Sequence, residues 1–160
     1  MSGGVEWALH CCVVLTAAEE PVPSARLAEL HDVSSSYLAK QLQDLSRAGL
    51  VRSVQGYAGG YVLTRSPELI SVLDVVEAVD GTKSAFVCTE IRQRGPLAAS
   101  KKDCTAPCAI ARTMAAAADA WRASLRAISI ADLARDVDAD YGPKALVGIG
   151  AWLKASGGER

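Results

Sequence analysis

The chain has 160 residues, of which 50% are hydrophobic and 22% are charged, and its formal net charge is -1. This composition excludes a disordered chain, and no apolar run approaches the roughly 18 residues of a membrane-spanning helix. Its glycine and proline contents are ordinary, which excludes collagen-like and low-complexity chains.

Five cysteines are an odd number and cannot all pair within one chain. In a reducing compartment they indicate metal binding or redox chemistry rather than a disulfide framework. The N-terminal segment has Glu6 where an export signal has basic residues, and it lacks a small-residue cleavage site. We therefore expect a cytoplasmic protein with no membrane partner.

Charge is distributed unevenly along the sequence. Residues 1–33 carry one arginine against five acids, whereas residues 34–65 carry four basic residues against Asp44. A local basic block in a neutral protein is consistent with a polyanion partner, and equally with a solvated face.

Helical periods organise the N-terminal part of the chain. Apolar residues at steps of three and four predict a helix over 5–18, and Ser24 is the predicted N-cap of a short helix over 25–31. After a short turn, Ser34 or Ser35 caps a third helix that ends near residue 48, so the two helices form a helix-turn-helix. The side chains of the third helix predicted to face inward are Leu38, Leu42 and Leu45, and those predicted to face outward are Tyr37, Lys40, Gln41 and Asp44.

A hairpin wing and a long loop follow. Strands over 50–54 and 61–63 flank a glycine-rich connection, and a helix is predicted over 69–79. Residues 80–107 have no sustained period and contain three cysteines, which predicts a functional loop.

The longest periodic segment covers 109–128, where apolar residues form one continuous seam. We expect this helix to pack against a second subunit, with packing inside one chain as the alternative. Ser129 caps a further helix to residue 137, and the weakly patterned remainder is expected to dock as one or two turns. The predicted fold class is mainly α with a small β-hairpin wing: a winged helix-turn-helix followed by a long dimerisation helix.

The helix-turn-helix and wing suit duplex DNA, because the major groove admits one helix and a basic hairpin reaches the neighbouring groove or phosphates. Lys40 and Gln41 are the candidate base readers, and Arg47, Arg52 and Arg65 are candidate phosphate contacts. An ordinary exposed side chain is the alternative for any single residue. The predicted DNA contacts are Ser34, Ser35, Ser36, Tyr37, Lys40, Gln41, Arg47, Arg52, Tyr57, Gly59 and Gly60.

Two residue pairs are candidate metal ligands. Cys104 and Cys108 precede the longest helix, whose positive end favours thiolates and metal ligation. Glu6 and His10 lie four residues apart on the first helix and project from the same face. Buried structural cysteines and a surface Glu–His pair are the common alternatives. The remaining pair, Cys11 and Cys12, occupies apolar positions of that helix and is expected to be packing.

Several motifs together carry a family resemblance. They are VEWALH at 5–10, LAEL at 27–30, SYLAKQL at 36–42, LSRAGLV at 45–51, GYAGGY at 56–61, and cysteines before a helix containing Trp121 and the segment IADL at 130–133. On these motifs the chain resembles, nearly end to end, the iron-sulfur-sensing winged-helix repressors of the IscR, NsrR and RsrR type. The resemblance implies a homodimer with crossed long helices and a cluster completed by the first helix of the other subunit.

The cysteine spacing differs from the usual pattern of that family, because fifteen residues separate Cys88 from Cys104 and three separate Cys104 from Cys108. The pattern is most similar to the RsrR branch. That similarity implies a 2Fe-2S cluster held by Cys104 and Cys108 of one subunit and by Glu6 and His10 of its partner, with Cys88 as a spare thiol or an alternative ligand. Trp7 is either a core aromatic or a side chain that a ligand change displaces.

The sequence thus predicts a regulator that binds promoter DNA under the control of a 2Fe-2S cluster sensing redox state or nitric oxide, and the resemblance implies that it is a repressor. The predicted segments are a DNA-binding domain over 1–79, a cluster-binding loop over 80–108, and a dimerisation helix with a C-terminal segment over 109–160. No enzyme motif is present. A cofactor-free thiol switch using Cys88, Cys104 and Cys108, and a structural zinc site, are the alternatives.

Overall fold

The computed structural model describes residues 1–57, 59–84 and 86–155. Its helices are α1 (Gly3–Thr16), α2 (Ser24–Leu30), α3 (Ser35–Arg47), α4 (Val72–Asp80), α5 (Ala109–Arg126), α6 (Ile130–Tyr141) and α7 (Ala145–Ala155). The strands are β1 (Val51–Val54) and β2 (Gly60–Leu63), and short 3-10 turns cover Pro67–Leu69, Ile91–Gln93 and Lys101–Asp103. The predicted class, mainly α with a small hairpin, is confirmed.

The chain forms two compact units. The first contains Met1–Gly81 and the chain from Leu125 onward, and the second contains Thr82–Ser124. The predicted grouping of 109–160 therefore differs from the structure, where α6 and α7 both contact α1. None of the helices in the described ranges is long and apolar enough to cross a membrane.

The core of the first unit forms around α1, whose apolar residues recur on several faces. Ala8, Cys11 and Cys12 are fully buried there, and α1 contacts α3, α4 and α6. A helix that is apolar around most of its circumference is stable only when neighbours cover it, and these three helices do so.

The helix-turn-helix is formed by α2 and α3. Ser34 is the N-cap of α3, and its hydroxyl accepts the Tyr37 backbone N–H at 3.3 Å. At the other end, Gly49 has a positive φ of 71°, a conformation that glycine adopts at little cost. The side chains predicted to face inward are all fully buried: Leu38, Leu42 and Leu45.

The wing is an antiparallel hairpin in which Val51 pairs with Leu63. An isolated bridge between Val22 and Tyr61 attaches β2 to the α1–α2 connection. Gly60 makes this close approach possible, since a Cβ there would lie 2.3 Å from the carbonyl carbon of Val22. Ala58, part of the glycine-rich connection, lies outside the described residues.

Several helix boundaries differ from the predictions: α1 runs over Gly3–Thr16 instead of 5–18, and α5 ends at Arg126 instead of residue 128. A capping box explains the start of α4. α4 begins at Val72 because the Ser71 hydroxyl accepts the Asp74 N–H at 3.1 Å and the Asp74 carboxylate accepts the Ser71 N–H at 2.9 Å. Ser24 is the first residue of α2, and Pro23 is its N-cap. α6 begins after the predicted cap Ser129 but continues to Tyr141, and α7 is an 11-residue helix. Residues 156–160 lie outside the described ranges.

Candidate nucleic-acid interface and cysteine site

The N-terminal half of α3 presents a polar surface. The exposed residues there are Ser34, Ser35, Ser36, Tyr37 and Lys40. Hydroxyls and backbone N–H groups at the start of a helix, followed by a lysine, are suited to contact phosphates and base edges. Arg47, at the other end of the helix, forms an ion pair with Asp44 at 2.9 Å.

Gln41 does not belong to this surface. The prediction that Gln41 faces outward is wrong, because Gln41 is only 3% exposed. Its amide lies against the first turn of α1, where an added Cβ on Gly4 would come within 2.5 Å of Gln41 Oε1. In this position the side chain contacts α1 and is not available for reading bases.

The wing presents two of its predicted DNA contacts to solvent. Arg52 is exposed on β1, and Tyr57 at the tip is fully exposed. Gly59 and Gly60 are half-buried, and a Cβ on Gly59 would lie 2.6 Å from the Val54 carbonyl oxygen. The two glycines therefore shape the hairpin itself.

Arg65 lies beyond the wing and is held by its own chain. Its Nε donates to the Leu69 carbonyl at 3.0 Å, and its Nη2 lies 3.5 Å from the Asp74 carboxylate. A phosphate would have to compete with these partners for the guanidinium.

The outer face of α1 carries Glu6 and His10, both exposed and one turn apart as the spacing predicts. The His10 ring lies 5.5 Å from the His31 ring, between centroids, and 6.4 Å from the Trp7 ring. Trp7 also contacts Tyr37, at 6.5 Å between centroids. Aromatic contacts thus connect the ligand candidate His10 with the start of the recognition helix α3.

His31 is a neighbour of the candidate ligand His10 that the sequence did not reveal. Burial and then the neighbouring His10 lower its pKa, so it favours the neutral form. Its Nε2 is buried without a hydrogen-bond partner among the described residues. In the sequence, His31 is simply the last residue of the predicted second helix. A histidine at the end of a helix is common, so this position did not indicate a role beside His10.

The second unit brings Cys88 and Cys108 near enough for each thiol to influence the pKa of the other. The Cys88 thiol itself donates to the Glu90 carboxylate at 3.5 Å. The Ala111 backbone N–H donates to Cys108 Sγ at 3.3 Å and is the largest cause of the lowered pKa of Cys108. The Glu90 backbone N–H also acts to lower the pKa of Cys88, but desolvation, the Glu90 carboxylate and Cys108 outweigh it and raise that pKa.

Arg92 brings positive charge to this loop. Its Nε donates to the Glu90 carboxylate at 2.9 Å and its Nη2 donates to the Ala106 carbonyl at 2.5 Å. The hydrogen bond to Glu90, then the charges of Glu90, Cys104 and Cys108 acting against desolvation, raise the pKa of Arg92. The positive charge of Arg92 is one of the causes that lower the pKa of Cys108, so it favours the Cys108 thiolate.

The other two cysteines have a different environment. Cys11 and Cys12 are fully buried, and burial raises the pKa of each to about 12. The prediction that they serve as packing is confirmed.

The candidate ligand pairs lie in different units. Glu6 and His10 belong to the first unit, and Cys104 and Cys108 to the second. Among the described residues of one chain, no group of three His, Cys, Asp or Glu side chains is arranged to hold a metal ion.

A helix-turn-helix with an attached hairpin and a polar recognition-helix surface defines a winged-helix regulator. The family model Rrf2, described as an iron-dependent transcriptional regulator, matches residues 1–136. The chain therefore belongs to the Rrf2 family, whose members are transcriptional regulators and not enzymes.

Comparison with individual proteins supports the same family. The HTH-type transcriptional regulator IscR of Aliivibrio salmonicida is 45% identical over 76 residues, which are 48% of this chain and 45% of the relative. IscR of Vibrio cholerae is 41% identical over 76 residues, which are 48% of this chain and 44% of that protein. The alignments thus span less than half of the length of these relatives.

Solved structures extend the likeness over most of the fold. CymR, the global cysteine regulator of B. subtilis, has a TM-score of 0.67 and 25% identity, over 84% of this chain and 95% of that one. T. potens IscR has a TM-score of 0.63 and 23% identity, over 86% of this chain and 87% of that one. At 23% identity, this second likeness concerns the fold alone.

Proposed function

We propose that the chain is a repressor whose binding to promoter DNA in the cytoplasm is controlled by a 2Fe-2S cluster that senses redox state or nitric oxide. One observation carries the proposal: the helix that presents Glu6 and His10 is the same helix that packs on the recognition helix α3. A change in the coordination of these two side chains can therefore shift α1 and, through it, the recognition helix α3. Family membership and the IscR relatives support an iron-sulfur cofactor.

The donor chemistry fits such a cluster. Cys104 and Cys108 supply thiolates beside the guanidinium of Arg92, and Glu6 and His10 supply an exposed carboxylate and imidazole. A carboxylate and a neutral imidazole in place of two thiolates remove one negative charge from the ligand set, which makes reduction easier. When bound, the cluster supplies one-electron exchange. This ligand set is the one implied by resemblance to the RsrR branch. Cys88 is its alternative thiolate, because it lies near enough to Cys108 to influence its pKa.

The proposed DNA contacts divide between α3 and the wing. Lys40 is the base-reading candidate, because Gln41 is buried. Arg52 and Tyr57 are placed to contact the phosphates or groove beside the recognition helix. The hydroxyls of Ser34, Ser35 and Ser36 and that of Tyr37 would fix the orientation of the helix on the backbone.

A homodimer is part of the proposal, since the ligand set requires two chains. In one chain the seam of α5, together with Ile128 two residues beyond the helix, leaves large apolar side chains exposed, and α5 has no buried residue. These side chains are Ile110 at 67%, Met114 at 41%, Trp121 at 43% and Ile128 at 37% exposure. A partner α5 would cover them, so Trp121→Asp is expected to convert a dimer to a monomer in sedimentation velocity. A monomeric wild-type protein would contradict the dimer.

The cluster is tested by anaerobic purification of the full chain. The protein is expected to be brown, to contain equal iron and acid-labile sulfide, and to lose its visible absorption in Cys104→Ser. Electron paramagnetic resonance of the reduced protein should change in His10→Ala and Glu6→Ala. Cys12→Ser, a buried position outside the ligand set, is the matched control and should keep the signal. A colourless protein that contains zinc would contradict the cluster and would indicate a structural zinc site instead.

DNA binding is tested separately by footprinting on a duplex selected by the wild-type protein from a randomised library. A protected site with two-fold symmetry, about one or two helical turns long, is expected. Protection without sequence preference would contradict the proposal.

A thiol switch is the second candidate function, and the proximity of Cys88 and Cys108, each of which influences the pKa of the other, favours it. A hydroperoxide would oxidise the Cys108 thiolate to a sulfenic acid with release of the reduced alcohol or water. The Cys88 thiol would then form the disulfide and release water. Mass spectrometry of cluster-free protein after peroxide treatment should find the Cys88–Cys108 disulfide, still present in Cys104→Ser. A Cys104–Cys108 disulfide, or none, would contradict this candidate.

A further inference from the structure

The first turn of α1 and the middle of α3 meet without spare room. An ideal Cβ on Gly4 would lie 2.5 Å from Gln41 Oε1, 2.9 Å from its Cδ and 3.1 Å from its Nε2. Gly4 is buried and Gln41 is 3% exposed, so the contact is closed to solvent. The neighbouring Gly3 differs, because a Cβ there would meet only the Tyr37 hydroxyl, at 3.8 Å.

This contact lies between the two functional parts of the first unit. Gly4 precedes Glu6 by two residues on α1, and Gln41 follows Lys40 on α3. The start of α1 is also fixed on its other side, since the Ser2 backbone N–H donates to the Asp80 carboxylate at 2.8 Å. Because Gln41 is only 3% exposed, its otherwise flexible amide has little room to turn away from Gly4. A closely packed buried contact of this kind passes a displacement of α1 on to α3.

We propose that Gln41 is a positioning residue that sets the recognition helix on α1 through its contact with Gly4, so that a shift of the ligand-bearing helix changes DNA affinity. The inference rests on the proposed function, because it assumes that α1 carries ligands and α3 reads DNA. It gives Gln41 a role that differs from base reading, and the two roles have different consequences. If Gln41 is a positioning residue, the effect of substituting it depends on the residue at position 4. If it is a base reader, the effect depends on the identity of one base pair.

The test is a double-mutant cycle on the full chain, with binding measured to the library-selected duplex. Gly4→Ala forces the Gln41 amide from its position and is expected to weaken DNA binding roughly tenfold. Gly4→Ala combined with Gln41→Ala should bind within about threefold of Gln41→Ala alone, because the added methyl group then has space. Gly3→Ala, one residue away with ordinary clearance, is the matched control and should bind like wild type.

Two further readouts separate positioning from a merely structural role. The ratio of DNA affinities between oxidised and reduced protein is expected to move toward one in Gln41→Ala, while the visible absorption of the cluster is unchanged. In cluster-free protein Gly4→Ala should still weaken DNA binding, since the contact does not depend on the cofactor. If Gly4→Ala does not fold, Gln41→Ala decides through the affinity ratio.

Three results would overturn the inference: wild-type affinity of Gly4→Ala, equal losses from Gly4→Ala with and without Gln41, or a Gln41→Ala variant that changes preference at one base pair only. A wild-type protein that lacks a cluster or selects no duplex would instead overturn the proposed function. The two failures are therefore distinguishable.

Discussion

The guanidinium of Arg26 lies over the indole of Trp152, with its Cζ 3.6 Å from the ring centroid. The same guanidinium donates from Nη2 to the Trp152 carbonyl oxygen at 3.0 Å. Arg26 is on α2, the first helix of the helix-turn-helix, and Trp152 is on α7, beyond the residues that the family model matches. The C-terminal helix thus supports the DNA-reading element directly.

Removal of this contact should destabilise the chain. Trp152→Ala deletes the cation–π interaction and the packing of a half-buried indole, and we expect a loss of about 1–3 kcal/mol in the free energy of unfolding, measured in urea. Val147→Ala on the same helix is the control, because Val147 is 66% exposed and its loss should cost under about 0.5 kcal/mol. Equal midpoints for Trp152→Ala and wild type would show that α7 contributes no stability through this contact.

Two glycines of α7 should respond to alanine with opposite signs. Gly150 packs on the end of α1, where a Cβ would lie 2.6 Å from the Ala17 carbonyl oxygen, and a backbone atom cannot move aside easily. Gly150→Ala is therefore expected to destabilise by about 1–3 kcal/mol. A Cβ on Gly148 would have no atom within 4 Å. Gly148→Ala should therefore stabilise the folded protein by roughly 0.5–1 kcal/mol, because alanine has the higher helix propensity. Thermal unfolding of the pair measures the difference, and shifts of the same sign would contradict the packing.

The sequence predicts most of the recognition helix correctly, but it led to one wrong assignment there. Helical spacing and the Ser34 cap predict α3 and its buried leucines correctly. The error at Gln41 came from treating a polar amide as a surface group. Position 41 is three residues after Leu38 and four before Leu45, so the period alone places it on the buried face.

The cysteine loop could not be derived in the same way. Cys88 and Cys108 are twenty residues apart in a segment without a repeating period, yet each influences the pKa of the other. The position of Arg92 near these thiols has no sequence signature either. Which side chains meet in such a loop depends on its particular turns and backbone hydrogen bonds. Periodicity carries no information about them.

The Ser2–Asp80 contact should make stability depend on acid pH. The Ser2 hydroxyl and then its backbone N–H bind the charged carboxylate and lower the pKa of Asp80. Because the folded-state pKa is below the unfolded one, this stabilisation is present above about pH 4 and is lost as pH falls through the folded pKa. Asp80→Asn should therefore lose stability near neutral pH, by less than about 1 kcal/mol at this solvated site, and match wild type at the acid end. Urea unfolding from pH 2 to 7 measures this, with Asp136→Asn on α6 as the control; a constant difference across that range would contradict the linkage.

Arg52 on the wing should contribute to DNA binding through phosphate contact alone. Arg52 is exposed on β1, where it pairs with Val62 of β2. A lysine or arginine that neutralises one phosphate adds roughly one unit to the slope of log affinity against log salt concentration. In the proposed homodimer the substitution removes two copies of this side chain, so Arg52→Ala is expected to reduce the slope by about two and to weaken all duplexes alike. The matched control is Arg135→Ala, an exposed arginine on α6 that pairs with Asp132 and should leave the slope unchanged. Fluorescence anisotropy over a salt series measures both variants. A change in base preference with an unaltered slope would instead identify Arg52 as a base reader.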